Sequence, residues 1–354
     1  MKTKGPIRVL VVEDSPVTAL ALKTILNSDP DITVIGIAQN GQEAVSLTHR
    51  MKPDVITMDV HLPILDGLEA TKQIMASRAT PILILSSSSF TSRTDKVFNA
   101  ISYGALEVAR KDDLLSPPGS KASDELVRKI KFLARIKVIH HPLGKMVIER
   151  GRVSADPGIA KDPERVVAIV GSTGAPKAIG DILKCLPKTF PCGILVLVHI
   201  THGFAEGFVK WLQGMCEIPV KLAVQGDPVL PGMVYVAPTE LHMRVTKERT
   251  IDLKDDPPRS GLRPNGDILL ESVAEHYGKN AIAVILTGMG RDGASGMRQV
   301  KLQGGKTIAQ DEKSSTIFGM PKAAIDALAV DRILGLDRIA DEMVRILKRE
   351  SHVG

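Results

Sequence analysis

The sequence predicts an α/β protein built from two doubly wound parallel-sheet domains. Three observations carry this. A chain of 354 residues is longer than one compact core usually holds. Apolar runs of strand length alternate with helix-period segments in both halves. The alternation lapses between about residues 137 and 164, where charge, Gly and Pro replace apolar positions. The expected organisation is one domain over 1–136, a linker over 137–164 and a second domain over 165–350. Hydrophobic residues make up 44% of the chain and aromatics only 3%, so both cores must be packed from Val, Ile, Leu and Ala.

In the first half, apolar runs at 7–12, 32–37, 55–58, 82–85 and 106–108 have the length of buried parallel strands. Between the first two, Val17, Leu20, Ala21, Thr24 and Ile25 mark one face of a helix. Leu126, Ile130, Leu133 and Ala134 do the same at the far end. Five strands joined by helices imply right-handed crossovers, and such sheets gather functional residues beyond the carboxyl ends of their strands.

Those ends carry chemistry. Glu13 and Asp14 follow the first run, and Asp59 follows the third in MDVHLPILDG. Ser86 and Ser87 follow the fourth, and Lys111 follows the fifth. Three carboxylates on one rim repel one another unless a cation sits among them, and hard oxygen ligands with room for water suit Mg²⁺. A hydroxyl and an ammonium beside them suit a transferred phosphoryl group. An Asp after a strand is by itself only a cap or turn residue. The ordered set, one member per strand end, is what points to phosphoryl chemistry.

Residues 6 to about 136 resemble the receiver domain of two-component response regulators, which implies a flavodoxin-like fold. The resemblance implies that Asp59 is the phosphoryl acceptor and that Glu13, Asp14 and Asp59 hold Mg²⁺ with the backbone carbonyl of His61. It assigns Ser86 as the switch hydroxyl and Lys111 as the phosphate-pairing ammonium. Pro63, Asp66 and Gly67 complete the family's run, and Gly104-Ala105 fits its turn before the fifth strand. This chain departs in having Lys111-Asp112 for Lys-Pro, and Val108 for the usual aromatic switch residue.

Adjacent His140 and His141 in the linker do not make a metal site without further ligands. The second half opens with RVVAIVGSTGAPKAI from Arg165. Its strand runs into Gly171-Ser172-Thr173-Gly174, and helix periodicity follows through Ala178, Ile182, Leu183 and Leu186. A small-residue turn puts Ser172 at a helix N-terminus, where free backbone amides hold either a developing oxyanion or a phosphate. This piece alone fits a nucleophile turn and an anion turn equally; G-S-T-G is neither a dinucleotide fingerprint nor a P-loop. The run 194–198 delivers His199, and the run 281–286 delivers TGMGRDG with Asp292, which on its own reads as a helix cap. Ser, His and Asp brought to one edge by three strands have the chemistry of nucleophile, general base and orienting carboxylate.

Residues from about 165 to 350 resemble the catalytic domain of the chemotaxis protein-glutamate methylesterases, the CheB family. The motifs are VGSTGAPKAI, VHITHGF, VYVAPTELHM at 234–243, RPNGD at 263–267, LTGMGRDGASGM at 286–297 and FGMPKAAI at 318–325. The resemblance implies a Rossmann-like three-layer hydrolase. Ser172 is then nucleophile, His199 base and Asp292 its orienting partner, with Thr173, Met289 and the amides near Ser172 lining the site. Val170-Gly171 for Gly-Ala, Val198 for Gln, Ile200-Thr201 where Pro is usual, and Asn265-Gly266 within R-P-S-V-D alter the rim and leave the triad intact. The implied reaction is hydrolysis of a γ-glutamyl methyl ester on a chemoreceptor, with glutamine deamidation as a second activity. Mg²⁺ belongs to the receiver, and the ester chemistry needs no cofactor. A histidine kinase is the implied phosphoryl donor. In the family, the unphosphorylated receiver covers the catalytic site.

Other classes fit less well. The formal charge of +6 and pI near 9.1 come from basic residues spread along the chain and mixed with acids. With no basic arm, aromatic platform or helix-turn-helix pattern, nucleic acid is not the expected partner and a transcription factor is disfavoured. An intact triad disfavours a non-catalytic binding or output module. Cys185, Cys192 and Cys216 lack metal-ligand spacing and suit a reducing, cytoplasmic setting. The N-terminal apolar run is broken by Glu13 and Asp14, too short for membrane insertion, and reads as a first strand rather than a signal peptide.

Overall fold

A computed structural model describes residues 5–86, 94–111, 116–136, 138 and 162–350. The chain divides into two units, within 1–148 and 149–354, each with its own parallel sheet. His140, His141 and Asp112 lie outside the described residues, as do Ser87 and most of the linker.

The first unit runs β1 (Ile7–Val12), α1 (Pro16–Asn27), β2 (Ile32–Ala38), α2 (Gly41–Met51), β3 (Val55–Asp59), α3 (Gly67–Ser77), β4 (Ile82–Ser86), α4 (Thr94–Ser102), β5 (Glu107–Arg110) and α5 (Lys121–Leu133). The strands are parallel in the order β2-β1-β3-β4-β5. The helices start where side chains cap them: the Ser15 hydroxyl accepts from the Thr18 amide, Asn40 from Glu43 and Asp66 from Glu69. Asp66 of the DG motif is thus an N-cap that starts α3 directly after the loop from β3.

Two expectations are corrected here. Helix α1 buries Ala19, Leu22, Ile25 and Leu26, while Val17 is 77% and Leu20 62% exposed. The helix is apolar on more than one face, so spacing alone allowed the wrong stripe. The core takes the face carrying Leu22 and Leu26, which packs with Val9, Val11 and Leu83. The last strand spans Glu107–Arg110 rather than 106–108, because its ladder with β4 pairs Leu83 with Glu107 and Ser86 with Arg110.

The second unit runs β6 (Val166–Gly171), α6 (Ala175–Cys185), β7 (Gly193–Val198), α7 (Ala205–Met215), β8 (Val220–Leu222), β9 (Val234–Val236), β10 (His242–Val245), β11 (Ile251–Lys254), α8 (Gly266–Tyr277), β12 (Ala281–Ile285), α9 (Ala294–Leu302), β13 (Lys306–Gln310), α10 (Met320–Asp326), β14 (Arg332–Leu334) and α11 (Leu336–Glu350). Its main sheet is parallel in the order β14-β13-β12-β6-β7-β9-β8. An antiparallel hairpin, β10-β11, stands apart from it. β6, β7 and β12 are buried at every position, as strands covered on both faces must be.

Both sheets are wound from their first strand outward in two directions. The chain leaves β1 for β2 on one side and reaches β3 on the other; it leaves β6 for β7 on one side and reaches β12 on the other. Such reversal points open a crevice beyond the carboxyl ends of the strands.

Candidate functional site

At the reversal point of the first sheet, Glu13 and Asp14 follow β1 and Asp59 ends β3. One carboxylate oxygen from each lies within 4.8 Å of the other two. Lys111, directly after β5, puts Nζ 2.5 Å from Asp59 Oδ2 and 2.7 Å from Glu13 Oε2. Burial drives the Glu13 carboxyl above its ordinary value, with Lys111 pulling the other way. Burial works to lower Lys111, but its bonds to Asp59 and Glu13 outweigh it and the ammonium is held above its ordinary value. Three oxygen donors, two buried and one exposed, fit a small hard dication that keeps part of its water. His61, two residues beyond Asp59, donates its amide to Asp59 Oδ1 at 3.2 Å. Ser86 ends β4 and is 2% exposed. Val108 is buried in β5 opposite Ile84.

At the reversal point of the second sheet, Ser172 follows β6, His199 follows β7, and Asp292 lies in the loop after β12. The strand ends are in register: Gly171 pairs with Val198, Val170 with Ile285, and the His199 amide donates to the Gly171 carbonyl at 3.1 Å. His199 Nε2 lies 3.0 Å from Asp292 Oδ2, close but off the line of a well-formed hydrogen bond. That leaves Nδ1 as the ring nitrogen free to face a hydroxyl.

Asp292 is held by backbone. Its Oδ2 accepts from the Gly266 amide at 2.6 Å and its Oδ1 from Asp267 at 3.1 Å, the first amides of α8. Burial works to raise this carboxyl, but His199 and the two amides outweigh it and hold it below its ordinary value. The RPNGD motif therefore supplies the seat of the Asp292 carboxylate: Asn265 caps α8, and Gly266 and Asp267 present their amides. Asp267 also accepts from the Gly296 amide at 2.8 Å, joining α8 to α9. Sequence reasoning picked out this motif but not its task. A signal was available in an Asn-Gly-Asp run at a helix start.

The turn that carries Ser172 is tight because of two glycines. Gly174 has φ +81° and begins α6; a Cβ there would sit 2.5 Å from Thr316 Oγ1. A Cβ on Gly288 would meet Ser172 Cβ at 2.8 Å, so the 286–293 loop passes directly beside the serine. Thr173 is buried and Met289 half-exposed. The Ser172 amide is not a free oxyanion donor, since it bonds the Thr287 carbonyl at 3.1 Å. Two further polar groups that sequence reasoning missed, Thr287 and Gln310, are 1% and 0% exposed. On the rim, His202 Nδ1 lies 2.7 Å from Glu240 Oε1 and ties the loop after β7 to the segment after β9.

Comparison with known proteins agrees with this division. The family model for the CheB methylesterase matches residues 167–343, and that for the response regulator receiver domain matches residues 9–113. A protein-glutamate methylesterase/protein-glutamine glutaminase of Nitrosospira multiformis is 42% identical over 96% of this chain and 97% of its own. One of Syntrophus aciditrophicus is 41% identical over 96% and 98%. The crystal structure of the Thermotoga maritima CheB methylesterase catalytic domain is 36% identical, covers 51% of this chain and 98% of its own, and superposes with a TM-score of 0.50.

Proposed function

Because the chain belongs to the CheB methylesterase family and carries a response regulator receiver ahead of the catalytic domain, we propose that it is a phosphorylation-regulated serine esterase acting on glutamate methyl esters of a chemoreceptor-type protein. The observation that carries this is the delivery of Ser172, His199 and Asp292 by the in-register ends of three adjacent strands, with Asp292 seated on helix amides and facing His199.

Ser172 Oγ attacks the ester carbonyl as His199 takes its proton, and the C–O bond to methanol breaks as His199 returns that proton to the leaving oxygen. Water, deprotonated by His199, then attacks the acyl-enzyme, releasing glutamate and restoring Ser172. Asp292 keeps the imidazole oriented and offsets its charge. Met289, in the loop beside Ser172, offers a backbone amide where Ser172 cannot offer its own. The same acyl chemistry with ammonia leaving accounts for glutamine deamidation, which the names of the relatives include.

The receiver takes its phosphoryl group from a histidine kinase onto Asp59. Glu13, Asp14 and Asp59 would hold Mg²⁺, which neutralises charge on the phosphoryl oxygens; Lys111 and Ser86 sense the group once it is transferred. Among the described residues no helix is long and apolar enough to cross a membrane. The test is methanol release from a methylated chemoreceptor. The wild-type protein releases it and Ser172→Ala does not; release by both overturns the reading.

A further inference from the structure

We propose that Thr287 is a positioning residue for the esterase reaction, locking the nucleophile turn and the oxyanion loop into one rigid unit; this rests on Ser172 being the nucleophile. Thr287 stands two residues past β12 and never reaches solvent, so it cannot touch substrate. It makes bonds in every direction. Its carbonyl accepts from the Ser172 amide at 3.1 Å. Its hydroxyl donates to the Thr173 carbonyl at 3.0 Å and accepts from the Ile317 amide at 2.9 Å. Its own amide donates to Gln310 Oε1 at 2.8 Å, and Gln310 Nε2 donates in turn to the Ser314 carbonyl at 2.8 Å.

The consequence is geometric. One residue grips both Ser172 and Thr173, while the chain that leaves it, Gly288-Met289, passes against Ser172. The 314–319 segment is tied to the same unit, since the Gly288 amide bonds the Ile317 carbonyl at 3.1 Å and the Met320 amide bonds the Gly288 carbonyl at 2.9 Å. The distance from Ser172 Oγ to any oxyanion donor in that loop is therefore set through Thr287. Without its hydroxyl, the buried Thr173 carbonyl and the half-buried Ile317 amide each lose a bond, and the unit must shift to recover them. Displacements of about 1 Å at a reacting centre cost on the order of a hundredfold in rate.

The oxygen and the methyl of this side chain can be tested separately. Thr287→Val keeps the volume and removes the hydroxyl; Thr287→Ser keeps the hydroxyl and removes the methyl. In the full-length protein, Thr287→Val should lower kcat about ten- to a hundredfold with KM changed by less than about threefold. Thr287→Ser should stay within about threefold of wild type. The rate at which a fluorophosphonate labels Ser172 should fall in the same order, whichever substrate is used. Thermal midpoints taken on the same samples separate positioning from stability: a merely structural residue makes rate follow midpoint. Should Thr287→Val fail to fold, Thr287→Ala and Thr287→Ser differ by one oxygen and carry the same test. Wild-type turnover and labelling in a hydroxyl-free variant, with Ser172→Ala inactive, overturns the positioning role alone. Activity in Ser172→Ala overturns the nucleophile and this inference together.

Discussion

The receiver rim concentrates its chemistry in three carboxylates and a lysine within 3 Å of two of them, whereas the rim of the second sheet brings together one imidazole, one hydroxyl and one carboxylate, the last held by backbone amides. Both occupy the reversal point of a parallel sheet, so the fold does not explain the difference. Charge does. A phosphoryl group brings its own negative charge, and its site must supply cations and remain reversible, so strong side-chain charges are set against one another. An ester arrives neutral and develops charge only in the transition state. Its site works best when neutral dipoles are already in place and the single carboxylate is firmly ionised.

The largest effects should separate the two rims completely. Ser172→Ala should lower methanol release by about 10⁶-fold, the scale of nucleophile removal in another triad, while still taking up phosphate from a small acyl phosphate. Asp59→Asn should take up none. Label on Asp59→Asn at the wild-type level would mean that the carboxylate cluster is not the acceptor site. Next in size is Asp292→Asn, expected to lower kcat by about 10⁴-fold and so to remain above Ser172→Ala. Equal residual rates would mean that Asp292 does more than orient His199.

How much of each rim could be read in advance follows the same divide. Glu13, Asp14, Asp59 and Lys111 are charged residues at the ends of apolar runs, a pattern visible one residue at a time. Ser172, His199 and Asp292 are visible in the same way, because strands deliver them. What stayed hidden depends on backbone and on pairing across the fold. The amides of Gly266 and Asp267 are signalled only indirectly, by the Asn265 cap that starts their helix, and nothing about Thr287 or Gln310 in the sequence marks them as partners of one another. Helix α1 went wrong for a related reason. Val17 and Leu20 are apolar yet exposed, and periodicity cannot choose between two apolar stripes without the sheet they pack on.

A smaller effect tests the electrostatic contrast through stability. The Asp292 carboxyl is held below its ordinary value of 3.8. A group depressed in the folded state adds stability above its unfolded pKa and loses that contribution as pH falls through the folded value. Wild type should therefore exceed Asp292→Asn in thermal midpoint at neutral pH, and the gap should narrow below about pH 4. A gap that stays constant down to pH 3 would place the cost of the substitution in packing rather than charge.

The smallest expected effect joins the rims. A receiver fused to a hydrolase controls it only if phosphorylation at Asp59 changes what happens at Ser172, and two sites communicate only as far as each binds or reacts differently in two states of the protein. A tenfold rise in esterase rate on phosphorylation corresponds to about 1.4 kcal/mol of coupling, little more than one hydrogen bond. That modest requirement matters because Val108 stands where receivers usually place an aromatic switch, and it is buried rather than poised at the surface. Ser86 ends β4 and Lys111 holds its ammonium against Asp59, and the proposed relay starts from these two residues. Acyl phosphate with Mg²⁺ should therefore raise methanol release by the wild-type chain about tenfold or less, and leave Asp59→Asn unchanged. Replacing Val108 by Tyr should enlarge the response if the missing aromatic is what limits it. An unchanged rate in the wild type, with phosphate uptake confirmed on the same sample, would leave the receiver a role in localisation and none in control of the esterase.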